Sequence, residues 1–124
     1  TRRSSDLLDQ TDCYLEFHDL TDADHFQKEL RQTDLLVNAT SVGMDGESLP
    51  ISIDTSFPKE LLVADIIYQP FETPFLALAR KQEIEAVNGL GMLLYQAAGA
   101  FKLWTGENMP TGAIWQELEN IYNS

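Results

Sequence analysis

Short, uninterrupted apolar runs in the middle of the chain predict buried strands. Residues 35–37 and 61–64 are entirely apolar, which is typical of central parallel strands that helices cover on both faces. Residues 84–87 follow a helical segment and predict a further short strand. The middle of the chain is therefore expected to contribute three strands to one sheet.

An earlier segment has a period of two. Cys13, Leu15 and Phe17 alternate with the residues between them, and this pattern predicts a half-covered strand near a sheet edge. Cys13 is the only cysteine, so no disulfide can form within the chain, and a reduced intracellular compartment is expected. We expect Cys13 to be a buried structural thiol.

Helical patterns separate and follow the predicted strands. Thr21, followed by acidic residues, is expected to cap a first helix, and Thr73 with Pro74 is expected to begin a second. A third helix runs from Leu90 to a stop at Gly106, and Pro110 restarts the chain as a terminal helix. The apolar positions at helical spacing in the last two helices are Leu93, Leu94, Ala97, Phe101 and Trp104, then Ile114, Leu118 and Ile121.

This alternation of strands and helices predicts the fold class α/β, with a doubly wound (Rossmann-like) parallel sheet and helices on both faces. We expect residues 1–124 to form a single unit. Ligands of such sheets bind at the carboxyl ends of the strands. The long segment 43–58, which contains glycine and proline but no helical period, is expected to be a functional loop.

The sheet is expected to be partial. A doubly wound dinucleotide-binding sheet normally opens with a G-x-G-x-x-G/A turn, whose amides hold a pyrophosphate at a helix N-terminus. Gly89 and Gly91 begin such a pattern, but Leu94 stands at the third glycine's position, and the segment lies near the end of the chain. The first βαβ unit is therefore predicted to be missing.

The charge of the chain excludes some classes of partner. Twenty acidic residues against eight basic ones give a net charge of −12, which repels phosphate backbones and anionic lipid surfaces. We therefore expect no nucleic-acid or membrane partner. Because no stretch approaches the roughly 18 apolar residues of a membrane span, the protein is expected to be soluble and cytoplasmic.

Three segments in chain order carry more specific information. They read Asn-Ala-Thr-Ser-Val-Gly-Met at 38–44, Asp-Ile-Ile-Tyr-Gln-Pro-Phe-Glu-Thr-Pro at 65–74, and Asn-Gly-Leu-Gly-Met-Leu-Leu-Tyr-Gln-Ala-Ala at 88–98. The three segments resemble signatures of the shikimate/quinate dehydrogenase family, and the resemblance runs from about Asp12 to Tyr122. It corresponds to the C-terminal, NADP-binding half of that family's usual subunit, so we expect the chain to be a fragment.

The resemblance implies a function. It indicates an oxidoreductase that reversibly reduces 3-dehydroshikimate to shikimate with NADP in chorismate and aromatic amino-acid biosynthesis. A quinate/shikimate enzyme that uses NAD is one alternative, and a non-catalytic nucleotide-binding module is another. The fragment alone is expected to be inactive.

The resemblance also implies cofactor-binding residues. Arg2 and Arg3 are expected to clamp the 2′-phosphate that distinguishes NADP from NAD, although a basic chain terminus would look the same. Asn38, Thr40 and Ser41 are expected to contact the ribose or pyrophosphate, with local turn capping as the alternative.

The nicotinamide and the substrate have their own expected contacts. Ile66 stands where many relatives place a methionine beside the nicotinamide, Met92 is expected to cover the ring, and Gly89 is expected to allow close approach. Tyr68 and Gln96 are expected to bind the substrate's hydroxyls or carboxylate. In each case a plain structural role is the alternative.

Several features of the family's enzymes are missing from these residues. The lysine motif Asn-Val-Thr-x-Pro-x-Lys does not occur, so no catalytic residue is assigned. His18 and His25 do not combine with other residues at metal-ligand spacing, and no metal is predicted. The helices of residues 88–124 are expected to pack toward an N-terminal substrate domain, and in a fragment that exposed surface is expected to support a homodimer.

Overall fold

A computed structural model describes residues 10–124. Within that range the chain forms one parallel sheet of three strands in the order β1-β2-β3. The α/β class and the partial parallel sheet are therefore confirmed. The elements in chain order are α1 (Ala23–Leu30), β1 (Leu35–Asn38), β2 (Leu62–Asp65), α2 (Pro74–Lys81), β3 (Glu85–Val87), α3 (Leu90–Thr105) and α4 (Thr111–Tyr122).

The helix ends follow local capping chemistry. The Thr73 hydroxyl accepts a hydrogen bond from the amide of Leu76 at 3.3 Å, and Pro74 occupies the first turn of α2. Helix α3 ends at Gly106, whose φ is 75°. The predicted cap at Thr21 is wrong, because the side chain of Asp22 accepts from the amide of His25 at 3.0 Å and caps α1 instead.

The core lies on one face of the sheet. Leu36, Val63 and Ala86 are neighbours in register on adjacent strands and project to the same side. Helices α1 and α2 pack over this side, where Val63 and Leu76 are fully buried. The other large buried members of this core are Leu30, Phe57, Leu61, Phe75, Leu78 and Ile84.

The opposite face of the sheet remains open over much of its area. Leu35, Val37 and Val87 project from it and are 51%, 46% and 45% exposed. Residues 35–37 were expected to be covered on both faces, and this is wrong for β1. The reason is that β1 is an edge strand of the described sheet and that α1 and α2 cover only the side of Leu36.

The strand predicted at residues 13–18 is also wrong. These residues have no regular secondary structure, and Cys13 is exposed instead of buried. An alternating pattern favours an extended chain, but a strand needs a neighbour to satisfy its amides and carbonyls. No strand of the described sheet lies beside this segment.

Among residues 10–124, no helix is long and apolar enough to span a bilayer.

Candidate functional site

A crevice lies at the carboxyl ends of β1 and β2. It encloses about 1060 Å³ between the loop after β1, the loop after β2 and the C-terminal end of α4. Of the residues expected to touch ligand, Thr40, Ser41, Ile66 and Tyr68 line it together. Two of the three sequence segments therefore meet at the edge where open parallel sheets bind ligands.

Asn38 organises the first wall of the crevice. It is 4% exposed, and its Oδ1 accepts hydrogen bonds from the backbone N–H of Thr40 at 3.2 Å and from the Thr40 hydroxyl at 2.7 Å. Its Nδ2 donates to the carbonyl of Val42 at 3.0 Å and to the carboxylate of Asp65 at 3.2 Å. Because an asparagine amide has two donors and one acceptor oxygen, the side chain is satisfied within the protein.

Asp65 joins that wall to the second one. Its Oδ1 accepts from Asn38 and from the amide of Ile67 at 3.0 Å, and its Oδ2 accepts from the hydroxyl of Thr73 at 2.7 Å. Asp65 and Thr73 are 3% and 0% exposed. The loops after β1 and β2 and the start of α2 are thus held by one buried polar network.

The loop after β1 turns sharply beneath the crevice. Gly43 is buried with a φ of 108°, a conformation that side chains rarely adopt. Asp45 then caps the next turn, and hydrogen bonds from the Ser48 side chain and from the amides of Ser48 and Glu47 lower the pKa of Asp45 to about 2. Thr40 and Ser41 are exposed residues that line the crevice from this loop. The Thr40 hydroxyl donates to Asn38 and accepts from the amide of Val42 at 3.1 Å.

Tyr68 stands on the second wall. It is half-buried, and its ring meets that of Tyr122 edge to face, with ring centroids 5.3 Å apart and planes at 81°. This contact ties the loop after β2 to the end of α4. Tyr68 lines the crevice, and its hydroxyl makes no hydrogen bond with the residues that the structure describes.

A second groove lies beside the crevice, on the open face of the sheet. It encloses about 840 Å³, and Ile66 and Phe71 line both spaces. Met92 faces this groove and is 56% exposed. The expected neighbours of the nicotinamide, Ile66 and Met92, therefore line one groove next to the crevice.

The third sequence segment is docked to the second by backbone contacts. The amide of Gly89 donates to the carbonyl of Ile67 at 2.9 Å. A Cβ atom at Gly89 would lie only 1.9 Å from the carbonyl oxygen of Ile66, so a glycine is required here by the approach of two main chains. The Asn88 side chain adds a hydrogen bond to the carbonyl of Phe71 at 3.0 Å.

Of the expected site residues that the structure describes, Asn38, Gly89 and Gln96 line neither cavity. Gln96 is exposed, lines neither cavity, and donates to the carbonyl of Leu93 at 3.0 Å. Arg2 and Arg3 lie outside the described residues. Their roles stay predictions.

Sequence reasoning missed two arrangements. The Asp65–Thr73 network joins residues whose polarity looked like an ordinary strand end and helix cap, and the only signal was an acid ending an apolar strand. The second is a surface cluster in which donor atoms of Glu16, His18 and Glu29 lie within 4.8 Å of one another. Spacing along the chain does not reveal it, and the absence of a metal stays a prediction.

Comparisons with known proteins identify similar sequences in one enzyme family. Residues 89–119 match the family model described as the shikimate 5′-dehydrogenase C-terminal domain. The chain is 99% identical over 118 residues to the shikimate dehydrogenase (NADP(+)) of Streptococcus thermophilus, which covers 95% of this chain and 41% of that protein. Thus the chain spans about two fifths of the length of the curated relatives it matches, in agreement with the expectation that it corresponds to the C-terminal part of a longer subunit.

Solved structures agree with the sequence comparison. The shikimate 5-dehydrogenase of Listeria monocytogenes, described in complex with shikimate and NAD, superposes with a TM-score of 0.82 at 38% identity, over 92% of this chain and 40% of that one. The enzyme of Thermus thermophilus, described in complex with NADP(H) and shikimate, gives a TM-score of 0.68 at 35% identity, over 76% and 36%.

Proposed function

Because the chain belongs to the shikimate dehydrogenase family, we propose that the longer polypeptide carrying it interconverts 3-dehydroshikimate and shikimate with NADP(H) in chorismate biosynthesis. In this proposal the chain supplies the dinucleotide-binding part. The observation that carries it is the near-complete identity to the streptococcal enzyme over 118 residues, and the position of the crevice at the carboxyl edge of the sheet supports it.

The residues of the crevice fit a dinucleotide. The Ser41 hydroxyl suits a ribose or phosphate oxygen. The Thr40 oxygen, whose proton is donated to Asn38, suits a ribose hydroxyl, and the adjoining side chains of Ile66 and Met92 suit an aromatic ring. When bound, the nicotinamide supplies or accepts the hydride. Asn38 is saturated by protein groups, so we assign it the role of fixing the loop that carries Thr40 and Ser41.

The cofactor roles proposed for Gly89 and for the two arginines do not depend on lining the crevice. Gly89 lets the start of α3 approach the main chain of Ile66, so it sets the position from which Met92 reaches the nicotinamide. Arg2 and Arg3 are proposed to bind the 2′-phosphate, because a guanidinium offers paired donors and a permanent charge. That role is the part of the proposal that selects NADP.

The substrate is assigned to the side of the crevice formed by Tyr68. The residue is half-buried and its hydroxyl makes no hydrogen bond with the described residues, which suits a hydrogen bond to a hydroxyl or carboxylate of shikimate. Gln96 is exposed on α3, and we propose that its amide meets the substrate when the substrate domain of the longer polypeptide packs on this helix. The general acid and base are assigned to that other domain.

The exposed side of the last two helices is proposed to be the surface that faces the substrate domain. Leu103 and Trp104 on α3 are 87% and 84% exposed, and Ile121 on α4 is 63% exposed. Large apolar side chains at such exposure are typical of a contact surface. In the isolated chain the same surface is proposed to support a homodimer, and the longer protein is proposed to be cytoplasmic.

One alternative function has a specific observation in its favour. The Listeria structure, which superposes over most of this chain, is described in complex with NAD. A shikimate or quinate dehydrogenase that uses NAD is therefore the second candidate. Arg2 and Arg3 separate the two, because only NADP carries the 2′-phosphate they are proposed to bind.

The test is hydride transfer by the purified longer polypeptide, followed through the absorbance of the reduced nicotinamide. Shikimate and quinate are each paired with NADP⁺ and with NAD⁺, and we expect the highest kcat/KM with shikimate and NADP⁺. A higher kcat/KM with NAD⁺ would replace the NADP assignment by the alternative. Failure of all four combinations would overturn the enzyme assignment. The 124-residue chain run alongside is expected to be inactive.

A further inference from the structure

The carboxylate of Asp65 connects both walls of the crevice to the scaffold. It accepts hydrogen bonds from the side chain of Asn38, from the amide of Ile67 and from the hydroxyl of Thr73. These donors belong to the end of β1, to the loop after β2 and to the cap of α2 respectively. With 3% exposure, Asp65 has little water to replace a lost partner.

On one side, the carboxylate determines how the loop after β1 is presented. Asn38 donates one amide hydrogen to Asp65 and the other to the carbonyl of Val42, which leaves its oxygen directed at the amide and hydroxyl of Thr40. The orientation of Thr40 therefore depends on Asn38, and that of Asn38 depends on Asp65. Thr40 lines the crevice.

On the other side, the carboxylate of Asp65 fixes the start of the second wall, which carries Tyr68. The amide of Ile67, which Asp65 holds at 3.0 Å, immediately precedes Tyr68. The Thr73 hydroxyl accepts from the amide of Leu76 at 3.3 Å, so its proton points to Asp65. All three partners of Asp65 are donors, and only a carboxylate can accept from all of them at once.

We infer that Asp65 is a positioning residue that aligns the dinucleotide wall and the substrate wall of the crevice together. This inference rests on the proposed function. Its consequence is that one substitution affects the binding of two chemically different ligands. Substitutions on a single wall, such as Ser41→Ala or Tyr68→Phe, affect mainly the ligand of that wall.

The experiment uses the longer polypeptide with the substitution Asp65→Asn. Asparagine keeps the shape of the aspartate side chain but places an NH₂ group against one of the three groups that donate to Asp65. The control is Gln82→Glu, an equally small exchange at the opposite edge of the sheet, where Gln82 accepts from the amide of Phe57 at 2.9 Å and donates to the carbonyl of Thr55 at 2.8 Å. For each variant, kcat and the KM values for NADP⁺ and shikimate are measured together with the urea midpoint.

Asp65→Asn is expected to raise both KM values roughly tenfold, because small misplacements of binding groups have large effects. Gln82→Glu is expected to lower the urea midpoint while leaving both KM values within about twofold of wild type, because a substitution away from the site acts mainly on stability. Thr73→Val, which removes the hydroxyl, is expected to raise both KM values, and Thr73→Ser, which keeps it, is expected to restore them. This second pair decides the question if Asp65→Asn does not fold.

The inference is overturned if Asp65→Asn or Thr73→Val lowers the midpoint like the control but leaves either KM unchanged. It is also overturned if Thr73→Ser behaves like Thr73→Val. Failure of the wild-type polypeptide to oxidise shikimate has a different meaning, because it contradicts the proposed function itself. The wild-type measurement therefore separates the two failures.

Discussion

Gly89→Ala should disrupt the junction between β2 and α3. Gly89 has an ordinary helical conformation, with φ −77° and ψ 0°, so alanine meets no backbone strain. The obstacle is space: an added Cβ would lie 1.9 Å from the carbonyl oxygen and 2.3 Å from the carbonyl carbon of Ile66. Both atoms belong to the main chain, and at least about 1 Å of movement is needed to reach the 3.0 Å below which real contacts are essentially never found.

The size of the effect follows from this displacement. Overpacking a close-packed site costs about 1–3 kcal/mol. The movement also stretches the hydrogen bond from the amide of Gly89 to the carbonyl of Ile67, now 2.9 Å long, which is worth about 1 kcal/mol. We expect Gly89→Ala to lower the free energy of unfolding by about 2–4 kcal/mol.

Gly91→Ala is the matched control two residues along. A Cβ there would lie 3.6 Å from the ring of Trp115, an ordinary contact, and helix propensity favours alanine by up to about 1 kcal/mol. Both variants of the longer polypeptide are to be unfolded in urea and followed by tryptophan fluorescence. If Gly89→Ala has the same midpoint as Gly91→Ala, the close approach of the two main chains is refuted.

Three further predictions concern other parts of the fold. Hydrogen bonds hold the pKa of Asp45 at about 2, below its unfolded value of about 3.9. The stabilisation that Asp45 contributes is therefore complete above about pH 3.9, the unfolded value, and is lost as pH falls through about 2. The stability difference between wild type and Asp45→Asn in urea should shrink in acid, and a difference that grows there would contradict this. Leu76→Ala, at a fully buried position, should lower the free energy of unfolding by roughly 2–5 kcal/mol, and a urea midpoint equal to that of wild type would show that the core is placed wrongly. Gly99→Ala should raise the free energy of unfolding by about 1 kcal/mol, because Gly99 lies within α3 with nothing within 4 Å of an added Cβ; a lower urea midpoint would argue against a free helix surface.

The features that sequence predicted well are local ones. Thr73 and Pro74 begin α2 and Gly106 ends α3 because capping depends on residues within one helical turn. The apolar runs predicted β1 and β2 correctly, because each of these strands finds a pairing strand within the described part of the chain. The strand at 13–18 failed for the opposite reason, since its pattern carries no information on whether a partner strand is present.

In the candidate site, too, local features could be predicted from sequence, whereas contacts between distant residues could not. Thr40, Ser41 and Tyr68 could be expected at one crevice because parallel strands bring their carboxyl ends to one edge. The bond between Asn38 and Asp65 joins residues 27 positions apart, and only the register of β1 and β2 places them side by side. Gly89 was expected to admit a ligand ring, but its contact with the main chain of Ile66 depends on three-dimensional packing.

The most direct test of the central claim is a crystal structure of the longer polypeptide with NADP⁺ and shikimate bound together. We expect the hydroxyl of Thr40 or Ser41 within hydrogen-bonding distance of the dinucleotide, the nicotinamide against Ile66 and Met92, and the Tyr68 hydroxyl on shikimate. A dinucleotide bound away from the carboxyl ends of β1 and β2, with these side chains left in solvent, would contradict it.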